Sequence, residues 1–362
     1  MKICHITTVH KQNDVRIFHK ECTSLAKKFK TTLLVVNGKT ETINNVSIKV
    51  VKVRYRSRIS RFLKVSKALY EAALKEDAKI YHFHDPDFLP YAAKLKRNGK
   101  MVIYDVHEDL PRQILSKYWI PIIFRKLISR VIEKYENHIA KKLDFICTST
   151  PFIRDRFLKI NPETADINNF PIIENFRVTK ELNFESLCYI GGITSLRGIK
   201  ESIIASKLCK VKINIAGSYS PENYKSELKK LKEWDAVIEH GHVNSQEINK
   251  ILSNSFAGMV TLKPIINYID SLPIKMFEYM AAGLPVISSD FPLWKTIVEK
   301  NDCGICVDPE NPNEIAKAIE FILKNPEKAK KMGQNGRRIV KEKYNWTNEE
   351  FKLINIYKKL GC

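Results

Sequence analysis

Residues 268–290, YIDSLPIKMFEYMAAGLPVISSD, spell a helix that stops at a glycine and runs directly into a strand. The spacing predicts a helix over 271–282, with Ser271 or Asp270 as its cap and Pro273 in the first turn, where a missing N–H costs little. Gly283 supplies the stop before the strand LPVISSD. The polar residues at the start of this apolar helix need an explanation. A helix N-terminus carries unpaired N–H groups and a partial positive charge, and Lys275 adds a full one, so an anion such as phosphate fits there. Glu278 lies about 9 Å along the axis at ~1.5 Å per residue. That distance suits a carboxylate accepting hydrogen bonds from ribose hydroxyls while a diphosphate sits at the helix end. An ordinary capped amphipathic helix with solvated charges explains the same residues.

Outward from this segment, short β-branched runs alternate with helical patterns along the whole chain. KICHIT, TTLLVVN, VSIKVVKV, KIYHFH, KMVIYDVH and DFICTST read as strands in the first half, and SLCYIGG, KINIAG, AVIEHGHV, GMVTL, PVISS and GICVDP in the second. Alternation of this kind implies parallel sheets with helices on both faces. Two such sets in series indicate two doubly wound α/β domains; a single barrel would need eight evenly repeated units and a closed sheet. The polar stretch INNFPIIENFRVTKELNFES, residues 167–186, is the linker candidate. Domains are expected over 1–172 and 173–345, with WTNEEFKLINIYKKL, in residues 346–362, as a closing amphipathic helix. In open parallel sheets ligands bind beyond the carboxyl ends of the strands, so polar residues there are the site candidates.

A chain of 362 residues with 44% apolar and 28% charged residues is globular in character. No window reaches the ~18 uninterrupted apolar residues of a membrane span, and the start MKICHITTVHKQNDVR turns polar too early for a secretory core; a cytoplasmic protein is expected. Among the eight cysteines, Cys303 and Cys306 form one CxxC with no second pair or ligand-spaced histidines, which reads as a reduced pair entering a strand. The net charge of +21 is uneven: residues 1–175 hold 33 Lys/Arg against 18 Asp/Glu, a surplus of 15, and the remainder 28 against 22, a surplus of 6. A basic first half expects an anionic partner. Nucleic acid has no recognised binding module here to support it.

The 268–290 segment resembles the donor-binding helix of retaining glycosyltransferases of the GT-B fold, family 4, in which two acidic residues separated by seven precede a GLPVI-like strand. Asp270 and Glu278 have that spacing, with Asp270 where the family usually has Glu. YIGGITSLRGIKESIIA is similar to the first strand and helix of the family's donor domain. INIAGS and EHGHV are similar to the next two strand ends, and CGICVDPENPNEIAKAI and YNWTNEEFKLINIYKKL to the closing elements. The resemblance implies two Rossmann-like domains facing across a cleft, the second holding a nucleotide-diphosphate sugar (UDP- or GDP-sugar) without a metal cofactor. It implies donor binding by Gly191, Gly192, Arg197, His242, Val243, Lys275 and Glu278. Arg197 stands at the usual diphosphate-binding lysine, and Gly192 at the second basic position, whose absence Lys275 would make good. Asp270 would hold hydroxyls of the donor sugar.

In the first half, YHFHDPDFLP and VIYDVHEDLPRQI end strands with His beside carboxylates. His82 and His84 share a strand face, and nothing in the sequence fixes a third metal ligand. The family resemblance places His107 at the donor sugar near the reacting bond, as a catalytic candidate with Asp270; a loop histidine hydrogen-bonded locally is the plainer alternative. The loop ITTVHKQNDVRIFHKE offers His10 and Arg16, and with His84 and Asp105 these are the acceptor-side candidates; a solvated helix start explains the loop equally. RYRSRISRFLKVSK, residues 54–67, and SKYWIPIIFRKLISR, residues 116–130, interleave basic with bulky apolar residues, a composition suited to an anionic membrane surface. For the first a solvated loop competes; for the second, ordinary core is the leading expectation. The expected activity is sugar transfer to a glycan or lipid-linked acceptor in surface polysaccharide assembly. A nucleotide-sugar 2-epimerase and a catalytically silent nucleotide-sugar-binding protein of the same fold are the alternatives.

Overall fold

The computed structural model describes residues 1–55, 57–117, 119–178 and 182–361, without the side chains of Arg58, Ile59 and Arg61. Arg56 of the first basic stretch, Tyr118 of the second and residues 179–181 of the expected linker therefore lie outside the described residues. The chain divides into two compact units, Met1–Asn169 with Thr347–Cys362, and Phe170–Trp346.

Unit 1 is built on eight strands: β1 (Lys2–Ile6), β2 (Lys30–Val35), β3 (Glu41–Ile43), β4 (Val46–Val50), β5 (Ile80–Phe83), β6 (Met101–Val106), β7 (Phe145–Thr148) and β8 (Thr164–Asp166). Their order is β3-β4-β2-β1-β5-β6-β7-β8, and every neighbouring pair is parallel except β3–β4. That exception is a hairpin closed by Asn44 and Asn45, both with positive φ, as a two-residue primed turn requires. β1–β7 with the helices between them enclose a core around Tyr81, Phe83, Phe88, Tyr104 and Phe157. The helix Trp346–Lys359 belongs mainly to this unit, burying Leu353 and Tyr357 and accepting the Asn168 N–H on Glu349.

Unit 2 carries six parallel strands, β9 (Ser186–Ile190), β10 (Lys212–Ala216), β11 (Val237–Gly241), β12 (Gly258–Val260), β13 (Val286–Ser289) and β14 (Gly304–Val307), in the order β11-β10-β9-β12-β13-β14. Both faces are covered. One packs on the helix Ile274–Ala282, whose Met276, Phe277, Tyr279 and Met280 are all buried; the other packs on Ile199–Leu208 and Pro312–Lys324. A predominantly apolar helix belongs in such a core.

Three details differ from the sequence expectation. The helix begins at Ile274 rather than 271, because Pro273 is extended (ψ 120°) and disfavours helical geometry in the residue before it. Asp270 instead ends a separate turn, Ile266–Ile269, and no side chain caps the helix start. Strands β3 and β8, three residues each, were not anticipated. The stretch expected as core, 116–130, exposes Trp119, Ile122, Ile123 and Phe124 to solvent. Among the described residues no helix is long and apolar enough to cross a membrane. Burial pushes the thiols of Cys303 and Cys306 up to about 12, leaving both poor nucleophiles at neutral pH.

The end of the Ile274–Ala282 helix gives a test of the packing. Gly283 closes it with φ 81°, and its carbonyl lies 2.0 Å from where a Cβ on Gly333 would stand, in the middle of the helix Pro326–Glu342. Gly333→Ala raises helix propensity by about 1 kcal/mol but forces the two helices apart, at about 1–3 kcal/mol or more. The variant should melt earlier than the parent in a thermal scan; a higher melting temperature would show that the backbones separate freely.

Candidate functional site

In both sheets the order reverses at one place, between β1 and β5 and between β9 and β12. A parallel sheet opens a crevice at the carboxyl ends of such strands, and in each unit the polar residues gather there.

In unit 1 the cluster starts with Arg16, in the wide helical turn Val15–Cys22 that Asp14 caps by accepting the N–H groups of Arg16 and Ile17. The guanidinium is buried and donates to both oxygens of Asp105 on β6, at 2.9 and 2.6 Å, and to the carbonyl of Ile167 at 2.6 Å. Glu21 lies 3.1 Å from it. Burial would push the Asp105 carboxyl up, but Arg16 and His107 outweigh it and hold it well below the usual carboxylate range. The Glu21 carboxyl is pushed well up, by burial and then by Asp105.

Asp105 also anchors a chain of imidazoles. Its Oδ2 is 2.8 Å from His107 Nε2 and 3.1 Å from His84 Nδ1. His84 Nε2 meets His5 Nδ1 at 3.0 Å, and the Tyr357 hydroxyl bridges His5 Nε2 (3.1 Å) and His82 Nδ1 (2.8 Å). His107 is the member that reaches solvent, 17% exposed where Asp105 and His84 are at 0%. Beside it, ring centroids 5.0 Å apart, stands His10, held by Asp14 at 3.2 Å and Asp85 at 3.5 Å. Asp85 in turn accepts the Thr7 hydroxyl and the Thr8 N–H, both at 2.7 Å, fixing the loop after β1.

Of the four residues expected at an acceptor, His10 is partly exposed, whereas Arg16, His84 and Asp105 are buried. The structure also supplies what the sequence lacked for a metal: donor atoms of Glu21, His82, His84 and Asp105 lie within 4.8 Å of one another. Arg16 already brings a positive charge to that cluster, with one ionised carboxylate, a Glu21 biased towards neutrality and imidazoles held below their usual pKa by burial. Little negative charge remains to attract a divalent cation.

Unit 2 presents a different arrangement. Gly191 follows β9 with φ 137°, and a Cβ there would come 3.1 Å from Lys275 Nζ. Lys275, in the first turn of the Ile274–Ala282 helix, is 4% exposed, and among the described residues its ammonium has no hydrogen-bond partner. It sits 3.7 Å from the centre of the Tyr189 ring. Burial first, then Arg197, pushes its pKa well below that of an ordinary lysine, with Glu278 pulling the other way. Arg197 lies in the turn Ser195–Arg197, its guanidinium against the phenols of Tyr189 and Tyr268 and its Nε unpartnered. The turn is closed by Gly198, φ 63°, where a Cβ would strike the Thr261 carbonyl at 1.9 Å. The Thr194 hydroxyl is likewise buried without a partner. Nothing lies within 4 Å of a Cβ position on Gly192.

The structure thus gathers Gly191, Arg197, Lys275 and Glu278, with Asp270 two residues beyond Tyr268. His242 is exposed past β11, two strands over, and Val243 packs on the core. A cavity of ≈ 640 Å³ lined by Gly283, Gly333, Arg337 and Lys341 adjoins the opposite end of the same helix and is separate from these groups. Sequence reasoning missed Tyr189, Tyr268, Glu21, His5 and Tyr357; only the position of His5 in β1, in register with His82 of β5, was a usable signal.

Residues 173–339 match the family described as Glycosyl transferases group 1, and residues 11–167 match Glycosyltransferase Family 4. An uncharacterized glycosyltransferase of Methanocaldococcus jannaschii is 29% identical over 207 residues, covering 55% of this chain and 52% of that protein. Spore coat protein SA of Bacillus subtilis is 32% identical over 84 residues, 23% of this chain and 22% of that protein. The chain thus spans about half the length of the first relative and less of the second. Among solved structures, sucrose-phosphate synthase from Thermosynechococcus elongatus superposes with TM-score 0.80 at 16% identity, over 99% of this chain and 98% of that one. Anabaena HepE, solved with UDP-glucose, gives 0.74 at 12% identity over 99% and 100%. The likeness is one of fold: two Rossmann-like parallel-sheet domains in the GT-B arrangement.

The histidine cluster of unit 1 makes stability depend on pH. Burial holds His5, His82 and His84 below the ordinary histidine value. Below about pH 6.5 the unfolded chain binds protons that the folded unit refuses, so stability is lost as pH falls, at about 1.4 kcal/mol per pH unit per histidine. Glu21, raised, works in the opposite direction, and so does His10 above that pH, where Asp14 and Asp85 outweigh its burial. Urea unfolding followed from pH 7.5 to 5.5 should therefore show a maximum near neutrality and an acid-side loss of about 2–3 kcal/mol per pH unit. A flat acid side would mean that the folded cluster takes up the protons itself.

Proposed function

Because this chain belongs to the GT-B glycosyltransferases of family 4 type, we propose that it moves a sugar, with retention of configuration, from a nucleotide-diphosphate donor to an acceptor hydroxyl. The observation that carries this reading is a pair of cations in unit 2, the buried Lys275 and the half-buried Arg197, each with a buried nitrogen that has no hydrogen-bond partner among the described residues, beside a glycine turn and an uncapped helix start. A buried ammonium without a hydrogen-bond acceptor is unfavourable, and a diphosphate supplies acceptors and negative charge. Negative charge builds on that diphosphate as the glycosidic bond breaks, so donors fixed there stabilise the transition state more than the ground state.

In this proposal Glu278 accepts hydrogen bonds from the ribose, His242 and Val243 border the base, and Asp270 holds donor-sugar hydroxyls. His107, oriented by Asp105, is assigned to the sugar near the reacting bond, and His10 to the acceptor side. No protein nucleophile is invoked. The acceptor hydroxyl attacks the face the diphosphate leaves, and its proton passes to the departing phosphate oxygen. Two side-chain cations and a helix end do the work a metal would do, so the reaction is taken to be metal-independent. The strongly basic unit 1 favours a glycan acceptor on a lipid carrier, at the cytoplasmic face of a membrane and in surface polysaccharide assembly.

Thermal shift with UDP, GDP and ADP and their sugars, with and without EDTA, tests the donor site. A selective, chelator-insensitive rise is expected. No rise with any of them points to a silent member of the fold, and an epimer formed from the nucleotide sugar alone points to an isomerase. Arg197→Ala should weaken nucleotide binding by about 10- to 100-fold, the scale of a charge-assisted hydrogen bond of about 1.5–3 kcal/mol. Lys275→Met should separate function from stability: the free protein melts no lower, or higher, while nucleotide affinity falls. A variant that loses stability and keeps affinity would place Lys275 in the scaffold alone.

Proton linkage gives a further check. Burial and then Arg197 hold the Lys275 pKa below that of an ordinary lysine, and a diphosphate beside it raises the pKa again. Binding should then take up a proton, and affinity should weaken as pH rises. Calorimetry in buffers of different ionisation enthalpy measures the uptake; a signal that survives Lys275→Met would place it elsewhere.

A further inference from the structure

The helix Ile122–Ala140 of unit 1 is 19 residues long, and its outer face is unusual in both its apolar and its charged residues. Ile123, Leu127, Val131 and Tyr135 follow one another at every fourth position, so they form one stripe along the helix. All four are open to solvent: 75% for Ile123, 59% for Leu127, 58% for Val131 and 45% for Tyr135. Ile122 (74% exposed) and Phe124 flank the stripe at its start, and Trp119 lies beyond the N-terminal end. Lys126, Arg130 and Lys134, exposed as well, run beside it at the same spacing.

The acids of this helix face the other way. Glu133 is 2.6 Å from Arg112, and the buried Glu136 accepts from Arg156 at 2.7 Å and from the Tyr104 hydroxyl at 3.0 Å. Ser129, on the inner side, donates to the Pro111 carbonyl at 2.7 Å. The outer face therefore carries basic and apolar groups and no carboxylate. Unit 1 as a whole has 36 Lys/Arg against 19 Asp/Glu, a surplus of 17, while unit 2 has 25 against 21, a surplus of 4.

From this juxtaposition we infer that the outer face of Ile122–Ala140, with Trp119, is a docking surface for an anionic lipid bilayer, on which the helix lies in the plane of the headgroups. The stripe of Ile123, Leu127 and Val131 enters the acyl boundary, Trp119 sits at the interface, and Lys126, Arg130 and Lys134 meet lipid phosphates. A protein partner or a second copy of this chain would be expected to bring carboxylates to the basic row. A bilayer supplies both the negative charge and the apolar layer along the full length of the helix, about 28 Å at ~1.5 Å per residue. The surface deepens the proposal of a lipid-held acceptor, but its test uses neither donor nor acceptor, so either can fail without the other.

Co-sedimentation of the full chain with vesicles of phosphatidylcholine alone, and with about a third phosphatidylglycerol, measures the binding. Binding to the anionic vesicles only, weakened by 0.5 M salt, is expected. Each basic side chain near such a surface accounts for about a fivefold change in affinity, so K126E/R130E/K134E should lose at least about 100-fold. I123S/L127S/V131S keeps every charge and should also lose binding, with both variants melting as the parent does because the changed residues are exposed. Equal binding to neutral and anionic vesicles, or none to either, overturns the proposal. So does full binding by the charge-reversed variant. A chain that sediments as a dimer, loses the dimer in I123S/L127S/V131S and still binds vesicles would assign the face to self-association instead. Nucleotide-induced thermal shifts should be the same in parent and variants; a loss of binding with intact shifts is the result that isolates this surface.

Discussion

A single guanidinium organises unit 1. Arg16 reaches from the helical turn after β1 to Asp105 near the end of β6 and to the carbonyl of Ile167 beyond β8, so three segments far apart in sequence converge on one planar group. A buried arginine of this kind is stable only when its donors are used, and a bidentate carboxylate uses two of them in fixed geometry. The consequence travels outward. With Asp105 held ionised by Arg16, its remaining acceptor capacity orients His107 and His84, and His84 passes the constraint to His5 and the Tyr357 hydroxyl. The final helix is thus tied to the same network as the first strand.

Unit 2 inverts this logic. There the cations at the strand ends lie against aromatic groups, the Tyr189 ring under Lys275 and two phenols against Arg197, with Glu278 acting on Lys275 through its charge. A ring face attracts an ammonium weakly compared with a carboxylate, which leaves the charge available. A carboxylate placed at Tyr189 would stabilise the free protein and fill the place of the ligand. The cost of the unpaired charge is borne by the apolar packing of the same helix, whose Met276, Phe277, Tyr279 and Met280 are fully buried against the sheet.

These two arrangements explain what was legible in the sequence. The strands of unit 2 among the described residues were readable because each is a short apolar run ending near a glycine or polar residue, and the Gly191 and Gly283 turns were readable because both need positive φ. Strands β3 and β8 were missed because three residues carry no period, and β3 is specified by its Asn44–Asn45 turn more than by its own residues. The start of the Ile274–Ala282 helix was misplaced by three residues because Ser271 has a capping side chain, while Pro273 decides the backbone. Tyr357 could not be assigned to the histidine network without the fold, since 275 residues separate it from His82. The bulky apolar residues of 116–130, Trp119, Ile122, Ile123 and Phe124, read as core because apolar side chains usually are; only the solvent around them in the fold distinguishes the two.

Positive charge is the common currency of the chain, and its burial and partners sort it into three uses. Arg16 is buried and paired, so removing its charge would remove the fold's own support. Lys275 is buried and, among the described residues, without a hydrogen-bond partner, so its charge weakens the free protein. Lys126, Arg130 and Lys134 are exposed on the solvent side of a helix whose carboxylates have been drawn inward to Arg112 and Arg156. That inward pairing is the more telling part. On an ordinary solvated helix, acids and bases intermix on the outer face and stabilise it through pairs three and four residues apart. Here those pairs are given up on the outside, and apolar side chains stand in the places they would take. A face that forgoes both burial and ion pairing is held in an unfavourable state by water alone, and contact with a negatively charged apolar layer relieves both at once.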